Sequence, residues 1–172
     1  MLPPFNFMKW VEENRAALKP PVCNKTVFED SDFIIMAIGG PNTRKDYHDD
    51  PGEEFFYQIE GDMVLRVMEN GNPKDIPIKA GEMFLLPAHV HHSPQRQANT
   101  VGLVIERKRQ PEELDGFLWY CDKCHTKLHE EFVPLKSIVK DLPPLFDRFW
   151  NSQEARTCKK CDYVMPLPES RK

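Results

Sequence analysis

Short apolar runs alternate with turn signals through the middle of the chain, from Thr26 to Val104. The turn signals are clusters of glycine, proline, asparagine and aspartate, which punctuate strands rather than helices. Strands are expected between them, including Phe55–Ile59, Met63–Met68 and Met83–Leu86. Many short strands at this spacing predict a mainly-β domain built as a sandwich or a barrel.

The N-terminal segment has a different, helical pattern. Asn6 is a suitable N-cap, and apolar residues then recur at helical spacing until Lys19 and two prolines end the stripe. The stripe consists of Phe7, Trp10, Val11 and Leu18. We therefore predict one N-terminal helix in front of the strands.

The residue pattern changes again after Pro111, and both cysteine pairs of the chain lie beyond this point. A short helix is predicted at Leu145–Trp150, opened by Pro143 and Pro144. We predict two parts: residues 1–113 form the main β domain with its helix, and residues 114–172 form a small cysteine-containing segment packed on it.

Composition narrows the class of protein. The chain has 172 residues, 40% of them hydrophobic, and a net charge of −4, which argues against a nucleic-acid-binding role. The longest apolar run, Phe33–Ile38, is too short to cross a membrane. The N-terminus lacks the basic and apolar regions of a signal peptide, so a reducing, cytoplasmic location is expected.

Two C-x-x-C motifs predict a metal site. Cys121 and Cys124 precede Cys158 and Cys161 by 33 intervening residues, and two such knuckles can surround one tetrahedral zinc or iron ion. We expect this site to be structural. Residues 121–125 also match a c-type haem attachment motif, although the expected location argues against it. The remaining cysteine, Cys23, is expected to be a buried or pocket-lining thiol.

His48, Glu54 and His92 are the candidate ligands of a second metal. Two imidazoles and one carboxylate form a facial triad that suits Fe(II) and leaves coordination positions open for substrate and oxygen. His89 and His91 are the competing histidines. Strand alternation places His91 and His92 on opposite faces, so His91 should point away.

The spacing around these residues resembles the two-part signature of the cupins, which are double-sheet jelly rolls. Gly61 follows Glu54 at the cupin distance, and this register selects His92 as the downstream ligand. Asp50, His89 and Arg96 stand where the cupin pattern has a second histidine, a glycine and an asparagine. The resemblance thus implies three ligands instead of four, with His89 near the pocket and a cation beside the metal. The implied fold is a cupin double-stranded β-helix with an N-terminal helix and a small four-cysteine appendage.

Beyond the cupin signature, nearly the whole chain resembles the 3-hydroxyanthranilate 3,4-dioxygenases, in particular the bacterial and fungal members with a rubredoxin-like second metal site. The motifs that carry this resemblance are Lys19-Pro-Pro-Val22-x-Asn24, Gly39-Gly-Pro-Asn-x-Arg44-x-Asp-Tyr-His48, Glu54-x-Phe-Tyr-Gln58, Phe84-Leu-Leu-Pro87, His92-Ser-Pro-Gln-Arg96, Val104-Ile-Glu106-Arg and Trp119-Tyr-Cys121.

This resemblance implies an activity and its site residues. The substrates would be 3-hydroxyanthranilate and O2, and the product 2-amino-3-carboxymuconate 6-semialdehyde, a precursor of quinolinate in NAD synthesis from tryptophan by the kynurenine pathway. Fe(II) would be held by His48, Glu54 and His92. Arg44, Glu54, Arg96 and Glu106 would bind substrate, with Glu106 also transferring protons. A cytosolic homodimer is implied in the same way.

Two other classes of function stay open at this stage. One is a different cupin metalloenzyme, such as a thiol dioxygenase or a sugar isomerase. A thiol dioxygenase resembles a three-histidine site, which would require histidine at position 50 or 54. The other is a non-catalytic metal-binding cupin, which would have no exchangeable position on its metal.

Overall fold

Two antiparallel β-sheets and three helices make up the described part of the chain. The structure, a computed structural model, describes residues 3–20, 23–42, 44–136 and 138–168. The elements in chain order are α1 (Phe7–Glu13), β1 (Asn24–Thr26), β2 (Phe33–Gly39), β3 (Asp46–Asp49), β4 (Glu54–Glu60), β5 (Met63–Glu69), β6 (Asn72–Ile78), β7 (Met83–Leu86), β8 (His92–Arg96), β9 (Val101–Arg107), β10 (Asp115–Tyr120), β11 (Lys127–Val133), α2 (Ile138–Asn151) and α3 (Gln153–Arg156).

The first sheet has the strand order β1-β2-β9-β4-β7, and the second has the order β11-β10-β3-β8-β5-β6. Alternate side chains point inward, as in β5, where Met63, Leu65 and Val67 are buried. They meet Phe56 and Val104 from the first sheet in one apolar core. The predicted mainly-β double-sheet fold with an N-terminal helix and a C-terminal four-cysteine cluster is therefore confirmed.

The predicted strands lie within β4, β5 and β7. The tight turn from β5 to β6 uses Asn70 and Gly71, both with positive φ (51° and 76°), which is the backbone conformation of a type I′ hairpin turn. Asparagine and glycine tolerate this conformation better than other residues. The Asn-Gly pair seen in the sequence thus fixes the register of this hairpin.

The N-terminal helix begins as predicted, because the Asn6 side chain accepts a hydrogen bond from the Lys9 backbone N–H at 2.9 Å. It ends earlier than the apolar stripe, at Glu13. Leu18 therefore lies in the turns after the helix, where it packs with Val11 in a small core over the first sheet. Pro21 and Val22, part of the segment expected to end this stripe, lie outside the described residues.

Helix α2 begins at Ile138, seven residues before the predicted start, with Pro143 and Pro144 inside it. Each proline removes one backbone donor, so the sequence favoured a later start. Packing outweighs this loss, because Leu142 in the added turns packs against the C-terminal core, in which Leu145 and Phe149 are fully buried with Phe117 of β10. No helix in the described part of the chain is long and apolar enough to cross a membrane.

The predicted division at residues 113 and 114 falls in the connection between β9 and β10. Strands β10 and β11 extend the second sheet, since Phe117 of β10 lies opposite His48 of β3. The four-cysteine segment begins immediately after β10. The C-terminal part is thus joined to the main domain by a shared sheet, and the boundary itself stays a prediction.

Candidate active site

Cross-strand pairing brings the candidate ligands together. His48 of β3 lies directly opposite His92 of β8, and Glu54 of β4 lies directly opposite Glu106 of β9. The first pair belongs to one sheet and the second pair to the other, so the four side chains meet between the sheets. The Oε1 atom of Glu54 is 3.1 Å from His92 Nε2 and 3.2 Å from His48 Nδ1.

The other nitrogen of each ring is already engaged. His92 Nδ1 is 2.8 Å from the backbone carbonyl oxygen of Val90 and therefore donates to it, while His48 Nε2 is 2.8 Å from Asp115 Oδ1. These contacts fix both rings and leave His92 Nε2 and His48 Nδ1 directed at Glu54. Metal-binding histidines are typically held in this way, by a hydrogen bond at the nitrogen that does not bind the metal.

The charges at the triad favour a bound cation. Glu54 Oε1 is buried and has no hydrogen-bond partner among the described residues, although both imidazoles face it. Burial opposes a charge on His48, yet the carboxylates of Asp115 and Glu54 raise its pKa to about 10. A divalent ion supplies the positive charge that these carboxylates favour, so the residues present fit a metal site.

Two neighbouring groups of side chains offer competing ligand sets. Asp50 and Asp115 lie near His48, and Asp50 and Glu106 lie near Glu54. Arg109 already pairs with Asp50 at 2.6 Å, with Asp115 at 2.7 Å and with Glu106 at 3.0 Å. Because this guanidinium already engages all three carboxylates, His48, Glu54 and His92 remain the best ligand set.

The two competing histidines, His89 and His91, lie away from the triad. His91 contacts the Tyr120 hydroxyl at 2.6 Å and Asp49 at 3.3 Å, as its outward direction predicted. The expectation that His89 lies near the pocket is wrong. Its side chain is 68% exposed, and its backbone has a φ of 61° in the connection between β7 and β8. His89 therefore belongs to this exposed turn and not to the cavity.

A cavity of about 130 Å³ lies directly over the triad. An engineered apolar cavity of roughly 150 Å³ holds benzene, so this space is close to the size of one aromatic ring. Its walls are mostly apolar, and Cys23 lines it as expected. The apolar walls include Met36, Ile38, Phe56, Val104, Phe117, Leu135 and Leu142.

Arg96 is the most unusual residue of the cavity. It is only 1% exposed, yet none of the described acidic residues forms an ion pair with it. Its Nη1 donates to Gln58 Oε1 at 2.9 Å, and its Nε has no hydrogen-bond partner in the described structure. Burial lowers the pKa of Arg96 to about 10, which leaves it cationic at neutral pH. A buried unpaired guanidinium is costly, so this arrangement points to an anionic ligand.

Gly102 provides the space for this guanidinium. A Cβ atom at position 102 would lie 2.6 Å from Arg96 Nη1 and 2.7 Å from Gln58 Oε1. The strand pairing explains the contact, because Gly102 lies opposite Gln58 across β4 and β9. A side chain at position 102 would therefore displace Arg96 or Gln58.

Arg44 and Glu106 also line the cavity, but both have protein partners. Arg44 Nε donates to Asp46 at 3.1 Å, and its Nη2 contacts the same carboxylate oxygen. Burial and the nearby Glu54 carboxylate raise the pKa of Glu106 to about 8, in spite of its ion pair with Arg109. Glu106 is thus an acid near neutrality that faces the cavity.

Asp115 and Arg109 are two site residues that were not predicted from the sequence. Asp115 lies 67 residues from the histidine that it contacts, so no local spacing links the two. Arg109 follows the Val-Ile-Glu-Arg motif by two residues in a polar segment that resembles an ordinary exposed loop. For Asp115 the one available sequence signal is its position at the start of a strongly apolar strand, where a charged residue requires a partner.

The four cysteines form a second, separate cluster. Their Sγ atoms lie within 4.8 Å of one another, with Cys124–Cys158 at 3.5 Å and Cys121–Cys161 at 3.6 Å. Four sulfurs at 2.3 Å from one tetrahedral ion are about 3.8 Å apart, so this cluster fits a metal. Both knuckles close with the same turn, in which His125 and Asp162 each have a φ of 57°.

Replacing Cys161 by serine is expected to lower the metal content from two ions per chain towards one and to loosen the segment after β10. Turnover of the folded protein should persist, because a closed shell of four thiolates has no position for substrate. Metal analysis and oxygen uptake on the same sample measure both effects. Cys23→Ser is the control and should keep two ions. Loss of turnover in a folded variant with a loaded triad would instead indicate electron transfer.

Comparison with known proteins gives a consistent result. The sequence model of a family described as 3-hydroxyanthranilic acid dioxygenase matches residues 1–150. Proteins named 3-hydroxyanthranilate 3,4-dioxygenase are 56% identical in Xanthomonas euvesicatoria, over 98% of this chain and 96% of theirs, and 52% identical in Burkholderia cenocepacia, over the same shares.

Among solved structures, a cupin-2 domain protein from Shewanella frigidimarina matches with a TM-score of 0.49 and 18% identity, over 60% of this chain and 94% of that one. The family model covers most of the chain, and the relatives exceed half identity over nearly its whole length. The chain therefore belongs to the 3-hydroxyanthranilic acid dioxygenase family.

Proposed function

We propose that this protein is a ring-cleaving dioxygenase that converts 3-hydroxyanthranilate and O2 to 2-amino-3-carboxymuconate 6-semialdehyde. The product closes without enzyme to quinolinate, which places the reaction in NAD synthesis from tryptophan. The observation that supports this proposal most strongly is that the triad and the buried Arg96 share one ring-sized cavity. Among the described residues, Arg96 has no ion-pair partner. Family membership and the names of the relatives support the same substrate.

His48, Glu54 and His92 would hold Fe(II). When bound, the ion supplies open coordination positions at which the amino and hydroxyl groups of the substrate and O2 are brought together and exchange electron density. The protein contributes orientation: the imidazoles are fixed from behind by Val90 and Asp115, and the apolar walls confine the ring. The mostly apolar walls lower the local dielectric constant, which strengthens the polar contacts inside the cavity.

Arg96 would bind the substrate carboxylate. The planar guanidinium can form two parallel hydrogen bonds with a carboxylate, and Gln58 holds its Nη1 in position for this contact. Binding also supplies the negative charge that the described protein does not offer. Arg44 would make a weaker contribution, since Asp46 already occupies part of its guanidinium.

Glu106 would orient the amino and hydroxyl groups and transfer a proton. Its raised pKa keeps the carboxyl group close to the point at which it can either accept or donate a proton at neutral pH. Arg109 holds one of its oxygens at 3.0 Å, which leaves the other available to substrate. Glu54, opposite Glu106 in the strand register, borders the same substrate position.

The alternative functions fit the site less well. A three-histidine site is absent from this ligand set, because carboxylates occupy positions 50 and 54 and both are buried. A non-catalytic metal site gives no reason for an unpaired arginine beside the ligands.

A substrate panel tests the proposal. After anaerobic loading with Fe(II), oxygen uptake is measured with 3-hydroxyanthranilate, with anthranilate, which lacks the hydroxyl, and with cysteine. We expect rapid uptake with the first compound alone. Uptake with cysteine would favour a thiol dioxygenase, and no uptake with any compound would favour a non-catalytic protein.

We also propose that the protein is a cytoplasmic homodimer. All five cysteines are free, which suits a reducing compartment. The outer face of the first sheet exposes large apolar side chains: Phe33 is 55% exposed, Met83 66% and Leu85 54%. Leu85, Phe55 and Ile105 form one row across β7, β4 and β9, so this face is a continuous surface for a second copy.

Leu85→Glu is expected to convert the dimer to a monomer, because a buried unpaired carboxylate at the interface is strongly unfavourable. Leu114, which is 44% exposed outside this face, gives the matched control Leu114→Glu. Sedimentation equilibrium measures both variants. An unchanged association constant for Leu85→Glu, or a monomeric wild type, would contradict the proposed interface.

A further inference from the structure

We propose that Asp115, held by Arg109, is a positioning residue that orients His48 for metal binding and sets the affinity of the triad for Fe(II). The inference rests on the proposed metal role of the triad. It concerns Asp115, which lies behind His48, and Arg109, which lines the cavity but contacts acidic side chains beside the triad.

The contacts of Asp115 form a closed arrangement. The residue is 0% exposed, and its Oδ1 is 2.8 Å from His48 Nε2. Arg109 Nε donates to both carboxylate oxygens, at 3.0 and 3.1 Å, and Nη2 donates to Oδ1 at 2.7 Å. A buried carboxylate with this many donors has one accessible position, so the imidazole that it contacts is fixed as well.

Strand β10 holds this arrangement in place. Phe117, two residues after Asp115, pairs with His48 and stacks on its ring at 5.2 Å between centroids and 18° between planes. Gly116 allows β10 to lie close to the side chains of its two neighbouring strands, because a Cβ atom there would lie 2.6 Å from the Phe132 ring and 3.0 Å from Asp49 Cβ. The carboxylate and the aromatic ring therefore constrain His48 in two directions.

A carboxylate behind a metal-binding histidine has two physical effects. It fixes the tautomer by accepting the proton of the distal nitrogen, so Nδ1 of His48 presents its lone pair towards Glu54. It also increases the electron density that the ring donates to the metal. Loss of such a partner typically weakens metal binding by about 10- to 100-fold.

Arg109 allows these carboxylates to coexist. Besides Asp115 it pairs with Asp50 at 2.6 Å and with Glu106 at 3.0 Å, and its side chain is only 9% exposed. Without this cation three buried carboxylates would repel one another and Glu54. Arg109 thus keeps Asp115 charged and directed at His48.

The test is the dissociation constant for Fe(II), measured anaerobically by competition with a chromophoric chelator and without substrate. Asp115→Asn keeps an oxygen acceptor but loses the charge, and we expect binding at the triad to weaken by about 10- to 100-fold. Asp115→Glu restores the charge and should recover part of the affinity. Metal retained at the four-cysteine site serves as the standard for correct folding.

Glu131→Gln is the matched control. Glu131 also bridges a histidine and an arginine, His129 at 2.9 Å and Arg148 at 2.6 Å, but it does not contact the triad. Its substitution should leave the Fe(II) affinity unchanged. Arg109→Lys keeps the positive charge but lacks the parallel donors of the guanidinium. It should therefore weaken Fe(II) binding severalfold, even where Asp115→Asn fails to fold.

The visible spectrum of the cobalt-substituted protein gives a second readout, because a change in the donor strength of His48 shifts the ligand-field bands. An Fe(II) affinity within twofold of wild type in Asp115→Asn and Arg109→Lys, with unshifted bands, would overturn the inference and leave the proposed function intact. A wild type that binds no Fe(II) at the triad would overturn both.

Discussion

Replacing His48, Glu54 or His92 by alanine is expected to abolish oxygen uptake with 3-hydroxyanthranilate. Each residue would supply one of the three proposed protein ligands, and His48 and His92 both face Glu54 Oε1. Removing Glu54 also leaves His48 and His92 without the carboxylate that they face. Turnover and Fe(II) content are measured together in each variant. The four-cysteine site should keep its metal throughout, which distinguishes loss of ligation from loss of folding.

His91→Ala is the matched control for the histidines, since His91 is adjacent to His92 but contacts Tyr120 and Asp49 outside the cavity. Its effect on turnover should be mild. Activity retained in one of the three triad variants, with Fe(II) still bound, would remove that residue from the ligand set. Loss of activity in His91→Ala but not in His92→Ala would show that the register is wrong by one residue.

Arg96→Ala should weaken the binding of 3-hydroxyanthranilate far more than the binding of 2-aminophenol. The second compound keeps the amino and hydroxyl groups but lacks the carboxylate. Hydrogen bonds to charged groups contribute roughly 1.5–3 kcal/mol, so the expected loss is about 10- to 100-fold in affinity. Dissociation constants for both ligands are measured anaerobically with the metal-loaded protein.

Three further variants sharpen this test. Arg96→Lys should recover only part of the affinity, because an ammonium group cannot present the two parallel donors of a guanidinium. Arg44→Ala should show a smaller bias, because Asp46 already pairs with Arg44. Arg66→Ala, which removes a half-exposed arginine paired with Asp75, should show none. Equal losses for both ligands in Arg96→Ala would show that Arg96 supports the cavity and does not bind the carboxylate.

The sequence was most informative where function and local structure share one spacing. Strand alternation and register with the cupin motif distinguished His92 from His91, and the structure places His92 opposite His48. The Asn-Gly turn and the Asn6 cap were visible for the same reason, since their chemistry is confined to a few neighbouring residues. The assignments of Arg44, Arg96 and Glu106 came from the family resemblance, and their roles stay predictions.

Long-range partners and packing were not visible in the sequence. Asp115 reaches His48 only because β10 pairs with β3, and no local pattern in the chain indicates that pairing. His89 was expected near the pocket because of its place in the motif, but its positive φ turns the side chain outward. The prolines of α2 argued for a later helix start, and the packing of Leu142 against the C-terminal core accounts for the longer helix.

The most direct measurement is the stoichiometry of oxygen and substrate consumption by wild-type protein whose metal content is determined in the same sample. With Fe(II) at the triad, we expect one O2 to disappear for each 3-hydroxyanthranilate, and quinolinate to accumulate as the ring-opened product closes. No oxygen uptake by protein that holds Fe(II) at the triad and metal at the four cysteines would contradict the account.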